Sequence, residues 1–121
     1  MIVIVIVGIL SAVALPNFLN QTSKAKGTEA TTKLSALLKE AQSEALYDTA
    51  ANAVTLMNTA TTGPVAVATT TGEWTYTMNS GSTATDDIVA TAAPKATGSA
   101  AGITNFQGCV DVKTGAAVIK Q

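Results

Sequence analysis

MIVIVIVGILSAVALPNF, residues 1–18, is the stretch whose reading decides the fold. Between Met1 and Leu15 there is no charge, and Ser11 carries the only hydroxyl. As a helix this run is about 22 Å long, short of the roughly 30 Å of hydrocarbon in a bilayer. It is too long, too uniformly apolar and too β-branched for an ordinary core strand. A secretory signal has an apolar stretch of this size but needs a basic start, which is missing, although Ser11–Ala14 loosely offers the small-residue cleavage pattern. Gly8 weakens a helix by about 1 kcal/mol relative to Ala, and Pro16 removes a backbone donor. The rod is therefore expected to be soft between these two positions. Ile2, Val3, Ile4, Val5, Ile6, Val7, Ile9, Leu10, Val13 and Leu15 form its apolar surface, suited to packing in lipid first and against copies of itself afterwards.

Downstream the composition changes abruptly. Across 121 residues the apolar share is 47%, but Ala supplies much of it and the large aliphatics crowd near the start. The remainder is mostly Ala, Thr, Gly and Ser, with Tyr47, Trp74, Tyr76 and Phe106 as its rings. Such a chain buries a small core and folds better packed on a helix or a neighbour. From Lys24 to Tyr47 apolar residues recur at helical steps: Ala30, Leu34, Leu37 or Leu38, Ala41 and Ala45. Glu40, Glu44, Lys33 and Lys39 fall on the wet side, and Gly27 is a mild defect. This helix is expected to end within Asp48–Asn52, followed by a connecting loop over Asn52–Pro64 anchored by Leu56 and Met57.

The rest reads as β-structure. Val65–Thr71 alternates and is β-branched, and Gly72 is the natural turn into Glu73–Asn79. There Trp74, Tyr76 and Met78 share one face, with Glu73, Thr75 and Thr77 on the other. Asn79–Gly102 is a low-complexity loop with a brief strand at Ile88–Ala90. Ile103–Gln107 and Cys109–Lys113 are two short strands. Thr114–Gly115 turns the chain into a returning strand at Ala116–Lys120. The expected fold class is α+β, with a sheet of about four antiparallel strands.

The residue inventory argues against catalysis. There is no His, so the commonest general base and metal ligand is missing, and no thiol–imidazole pair exists. Asp86–Asp87 is the one adjacent acidic pair; it lacks calcium-loop spacing and reads as a solvated turn. No Gly-rich phosphate loop occurs, and no cofactor is expected. A net charge of −1 and seven basic residues, all Lys, give no reason to expect nucleic acid. Lys24 and Lys26 either belong to a solvated helix face, the favoured reading, or flank a membrane segment and bias its orientation. Cys109 stands alone and cannot form an intrachain disulfide; it is either buried as a small apolar side chain, the favoured reading, or reactive between chains. Thr61, Thr62, Ser82 and Thr83 are candidate acceptors of O-linked sugars, with turn solvation and β-propensity as the favoured alternative.

At MIVIVIVGILSAVALPNFLNQTSKAKGTEA the chain resembles the type IV pilins, most closely the short major pilins of cyanobacteria. The resemblance rests on the order of the pattern: aliphatic run, Gly8, Ile9–Pro16, a polar stretch, then an amphipathic helix. It covers roughly the first quarter of the chain. It implies a pilin-like fold, with a long helix whose first half protrudes and whose second half packs on an antiparallel sheet. Segments 1–23, 24–52 and 53–121 are then the protruding hydrophobic helix, the amphipathic helix and the β head. The resemblance further implies a subunit held in the cytoplasmic membrane, then extracted by assembly machinery into a helical homopolymer at the cell surface. Such pili serve motility, adhesion or DNA uptake. Two departures stand out. The family's methylated first residue and the Glu a few positions later align upstream of Met1, as does its leader. The C-terminal disulfide of many pilin heads has no counterpart here. A secretion-system pseudopilin, a minor pilin and a membrane-anchored monomeric binding module are the competing readings.

Overall fold

The computed structural model describes residues 1–59, 62–81, 87–98 and 100–121. One helix dominates it: α1 spans Ile2–Tyr47, 46 residues. It runs unbroken through Gly8 and with Pro16 inside it. Its second half carries the stripe read from the sequence, for Ala30, Leu34, Leu37, Leu38, Ala41 and Ala45 are all buried. Both leucines of the adjacent pair face inward.

Two short helices follow where none was expected. The segment read as a loop over Asn52–Pro64 holds most of α2, Ala50–Met57. Thr49 caps it, its side chain accepting a hydrogen bond from the Asn52 N–H, and satisfies one of the orphan donors of a helix start. Val65–Thr71 is not a strand but the body of α3, Pro64–Thr71. Pro64 sits in its first turn after Gly63, where the missing N–H costs nothing and the fixed φ suits a helix. Gly72 therefore ends a helix instead of turning between strands.

The sheet has four antiparallel strands in chain order: β1 (Trp74–Ser80), β2 (Asp87–Pro94), β3 (Phe106–Asp111) and β4 (Ala117–Lys120). In register, Trp74 faces Pro94, Ala92 faces Phe106 and Cys109 faces Val118. β2 corrects the expectation of a long loop with a brief strand at Ile88–Ala90. Its alanines have weak β-propensity, but the strand is ordered by β1 and β3 on either side. Ala90 and Ala92 are buried on the face toward α1, where small side chains let the helix come close. The two short strands expected at Ile103–Gln107 and Cys109–Lys113 are one strand, β3, with Gly108 inside it. The returning strand starts at Ala117. Gly115 takes φ +73° in the turn before it, a left-handed conformation that favours glycine.

The core lies between α1 and the sheet. Trp74, Tyr76 and Met78 of β1, Ile88 of β2, and Phe106 and Val110 of β3 meet Leu34 and Leu38 there. Trp74 and Phe106 pack edge to face with centroids 5.6 Å apart. This long helix on a four-stranded antiparallel sheet is an α+β architecture consistent with a pilin-like fold.

Candidate functional site

The residues singled out at the start of the chain share one property in the structure. Ile2 through Val7, Ile9, Leu10, Val13 and Leu15 are 51–76% exposed, and every residue from Met1 to Ala25 is exposed. Phe18 and Leu19 extend the apolar surface. The half-helix is apolar on all sides, because successive residues from Ile2 to Val7 point in different directions around the axis. A helix with one apolar stripe fits one partner groove; a helix apolar all round must be surrounded, by lipid or by several other helices. It is long and apolar enough to cross a membrane, and is compatible with membrane anchoring.

Its hydroxyls are locally satisfied. The Ser11 hydroxyl donates to the Val7 carbonyl at 2.8 Å, so it presents no unpaired donor to its surroundings. Thr22 and Ser23 donate in the same way to Phe18 and Leu19. Around Gly8 the space is open to 4 Å. Pro16 offers no N–H to the preceding turn, leaving the Ala12 carbonyl without its helical partner.

Where rod meets head, one ion pair and a close approach join α1 to the sheet, and a second ion pair lies along α1 itself. Lys26 Nζ lies 3.0 Å from Glu73 Oε2 and ties the helix to the residue before β1. Lys33 pairs with Glu29 at 3.1 Å, one turn apart on α1. Gly27, read as a defect, has a packing use: a Cβ there would stand 3.3 Å from Phe106 Cζ. Lys24 lines an open groove of about 540 Å³ with Ser23, Gly27, Phe106 and Gln121.

Cys109 corrects the expectation of a buried thiol, for it is exposed. Gly108 and Val110 face α1, so strand alternation turns Cys109 to the opposite face of the sheet. There it borders a groove of about 320 Å³ with Asp87, Val89, Val118 and Lys120. Thr62 is exposed before α3. Thr61, Ser82, Thr83 and Asp86 lie outside the described residues. Among the described residues no group of three or more His, Cys, Asp or Glu side chains comes together.

Among the described residues Tyr76 and Asp111 are perturbed. Burial pushes the Tyr76 phenol up to about 12, with the Glu29 carboxylate adding to the effect. Hydrogen bonds from Thr114 and Lys113 hold the Asp111 carboxyl below its usual value, part of the turn before β4.

Several contacts that position the head carry no sequence signal. The Lys95 ammonium donates to the carbonyls of Thr69 and Gly72 at the C-terminal end of α3. Thr69 and Asn58 bond to the backbone of β1. The one local cue was Gly63–Pro64, a helix-start pair standing before a segment that also alternates.

Compared with protein families, curated proteins and solved structures, the chain matches none.

Proposed function

We propose that this chain is a structural subunit that polymerises into an extracellular type IV pilus. The observation that carries this reading is a half-helix apolar on every side and exposed throughout, continuous with a helix whose second half is buried in a self-contained head. Burying a large aliphatic side chain gains roughly 1.5–3 kcal/mol. In a bilayer that gain is already present, so the drive for assembly comes from helix packing and from the machinery that extracts the subunit. The subunit waits in the cytoplasmic membrane with its head outside and ends in a cell-surface filament, with its own copies as main partner. It acts as structure and not as an enzyme, in support of motility, adhesion or DNA uptake.

The test is to shear the cell surface, image the released material and identify the filament protein by mass spectrometry. Long filaments built of this chain support the proposal. Filaments containing it only in trace amounts assign it to the minor pilins or pseudopilins. Detergent-extracted protein that stays monomeric, on cells bearing no filaments of this chain, makes it a membrane-anchored binding module.

A further inference from the structure

The two edges of the sheet are treated differently. β4 is short, four residues, and carries Lys120, and both features discourage pairing with another chain. β1 has seven residues, WTYTMNS, with no charge, no proline and four β-formers, Trp74, Thr75, Tyr76 and Thr77. A strand of that composition at an edge is a template for association.

The outer side of β1 is occupied by side chains acting as backbone. The Tyr76 N–H donates to Thr69 Oγ1 at 2.9 Å, and the Thr69 hydroxyl lies 3.4 Å from the Tyr76 carbonyl, as donor to it. Asn58 Nδ2, just beyond α2, donates to the Met78 carbonyl at 2.7 Å. Backbone groups along a strand alternate in direction, so Tyr76 and Met78 are residues whose groups turn away from β2.

α3 is held in this place by polar contacts more than by burial. Val65 is its one buried residue. Thr70 and Thr71 spend their hydroxyls on the Val67 carbonyl of their own helix, whereas neighbouring Thr69 turns its hydroxyl to β1. The Lys95 ammonium clamps the far end through Thr69 and Gly72.

We propose that Thr69 of α3 and Asn58 after α2 are strand surrogates that keep β1 from pairing with β1 of a second copy. In an antiparallel pair of β1 strands centred on Thr77, Tyr76 lies opposite Met78. The Tyr76 N–H and C=O and the Met78 C=O would then bond across the interface, and these are the groups that Thr69 and Asn58 hold. Heads brought close in a membrane or a filament meet this hazard alike, so the inference does not rest on the polymer reading.

The test uses the full chain in detergent micelles and a dye-labelled peptide of sequence WTYTMNS, with binding read by anisotropy of the dye and folding by the fluorescence of buried Trp74 measured before the peptide is added. The variant Thr69→Val, Asn58→Leu keeps side-chain volume and removes the bonding groups. It is expected to bind the peptide about tenfold more tightly than the wild type. Thr69→Ser, which keeps the hydroxyl, should behave as the wild type. A folded double variant that binds no better than wild type overturns the proposal, as does Thr69→Ser binding as tightly as the double variant. If the double variant unfolds, Asn58→Leu alone exposes the Met78 carbonyl, and unchanged affinity there counts equally against it.

Discussion

Tyr76 and Gly108 show how single residues set the spacing between helix and sheet. The Tyr76 hydroxyl is buried with no hydrogen-bond partner among the described residues, so none of them stabilises its phenolate. Its pKa of about 12 stands above the ordinary 10.0 of an unfolded chain. The folded state therefore holds this proton more tightly than the unfolded one. The resulting stability is complete below pH 10.0 and declines as pH rises toward about 12. Ultraviolet titration should show one tyrosine ionising near 12, and Glu29→Gln should lower that midpoint only partly, since burial is the larger cause. At Gly108 a Cβ would lie 2.7 Å from Leu38 Cδ1 and 3.3 Å from Ile119 Cγ1. Gly108→Val should destabilise the head by about 1–3 kcal/mol through overpacking, read as a lowered urea midpoint without a change in slope.

At the scale of elements, α1 is the part most legible in the sequence. The stripe from Ala30 to Ala45 repeats for about four turns and meets one surface, so periodicity alone located it. The alternation of Trp74, Tyr76 and Met78 was equally plain, and all three are buried. α3 was misread because Val65–Thr71 alternates by composition, while the proline that starts the helix lies just before it. α2 was missed because eight residues with one capping threonine leave little periodic signal. β2 was hidden by its alanines, which the approach of α1 selects and strand propensity does not. As for the candidate site, the rod was visible because exposure of an all-round apolar helix follows from composition. The covering of β1 was not, since Thr69 and Asn58 are common residue types whose role comes only from tertiary contact. Within α1 the segment from Gly8 to Pro16 is helical, yet it lacks one backbone donor and contains a glycine. Pro16→Ala restores the hydrogen bond to Ala12. It should slow amide exchange across this segment in micelles by tenfold or more. Unchanged exchange would show that the segment is not a weak point.

For the whole molecule, the division of labour lies along one helix. Every residue from Met1 to Ala25 is exposed, whereas Lys26 makes the ion pair that ties α1 to the residue before β1. Deleting residues 1–25 should leave the head's unfolding free energy within about 0.5 kcal/mol of the full chain's and remove its need for detergent. The measurement is denaturant unfolding followed by Trp74 fluorescence; a loss of several kcal/mol would mean that the rod contributes to the head.

The order of the sheet has a consequence for how the chain is made. β1, β2, β3 and β4 lie side by side in the sequence in which they are written. Each strand as it emerges finds its partner already laid down, and no early strand waits unpaired for a late one. Pairings between sequence neighbours carry small loop-closure costs and fold quickly. A head of this topology can be completed from its N-terminal side after the rod that precedes it has been made, so synthesis and folding proceed in one direction.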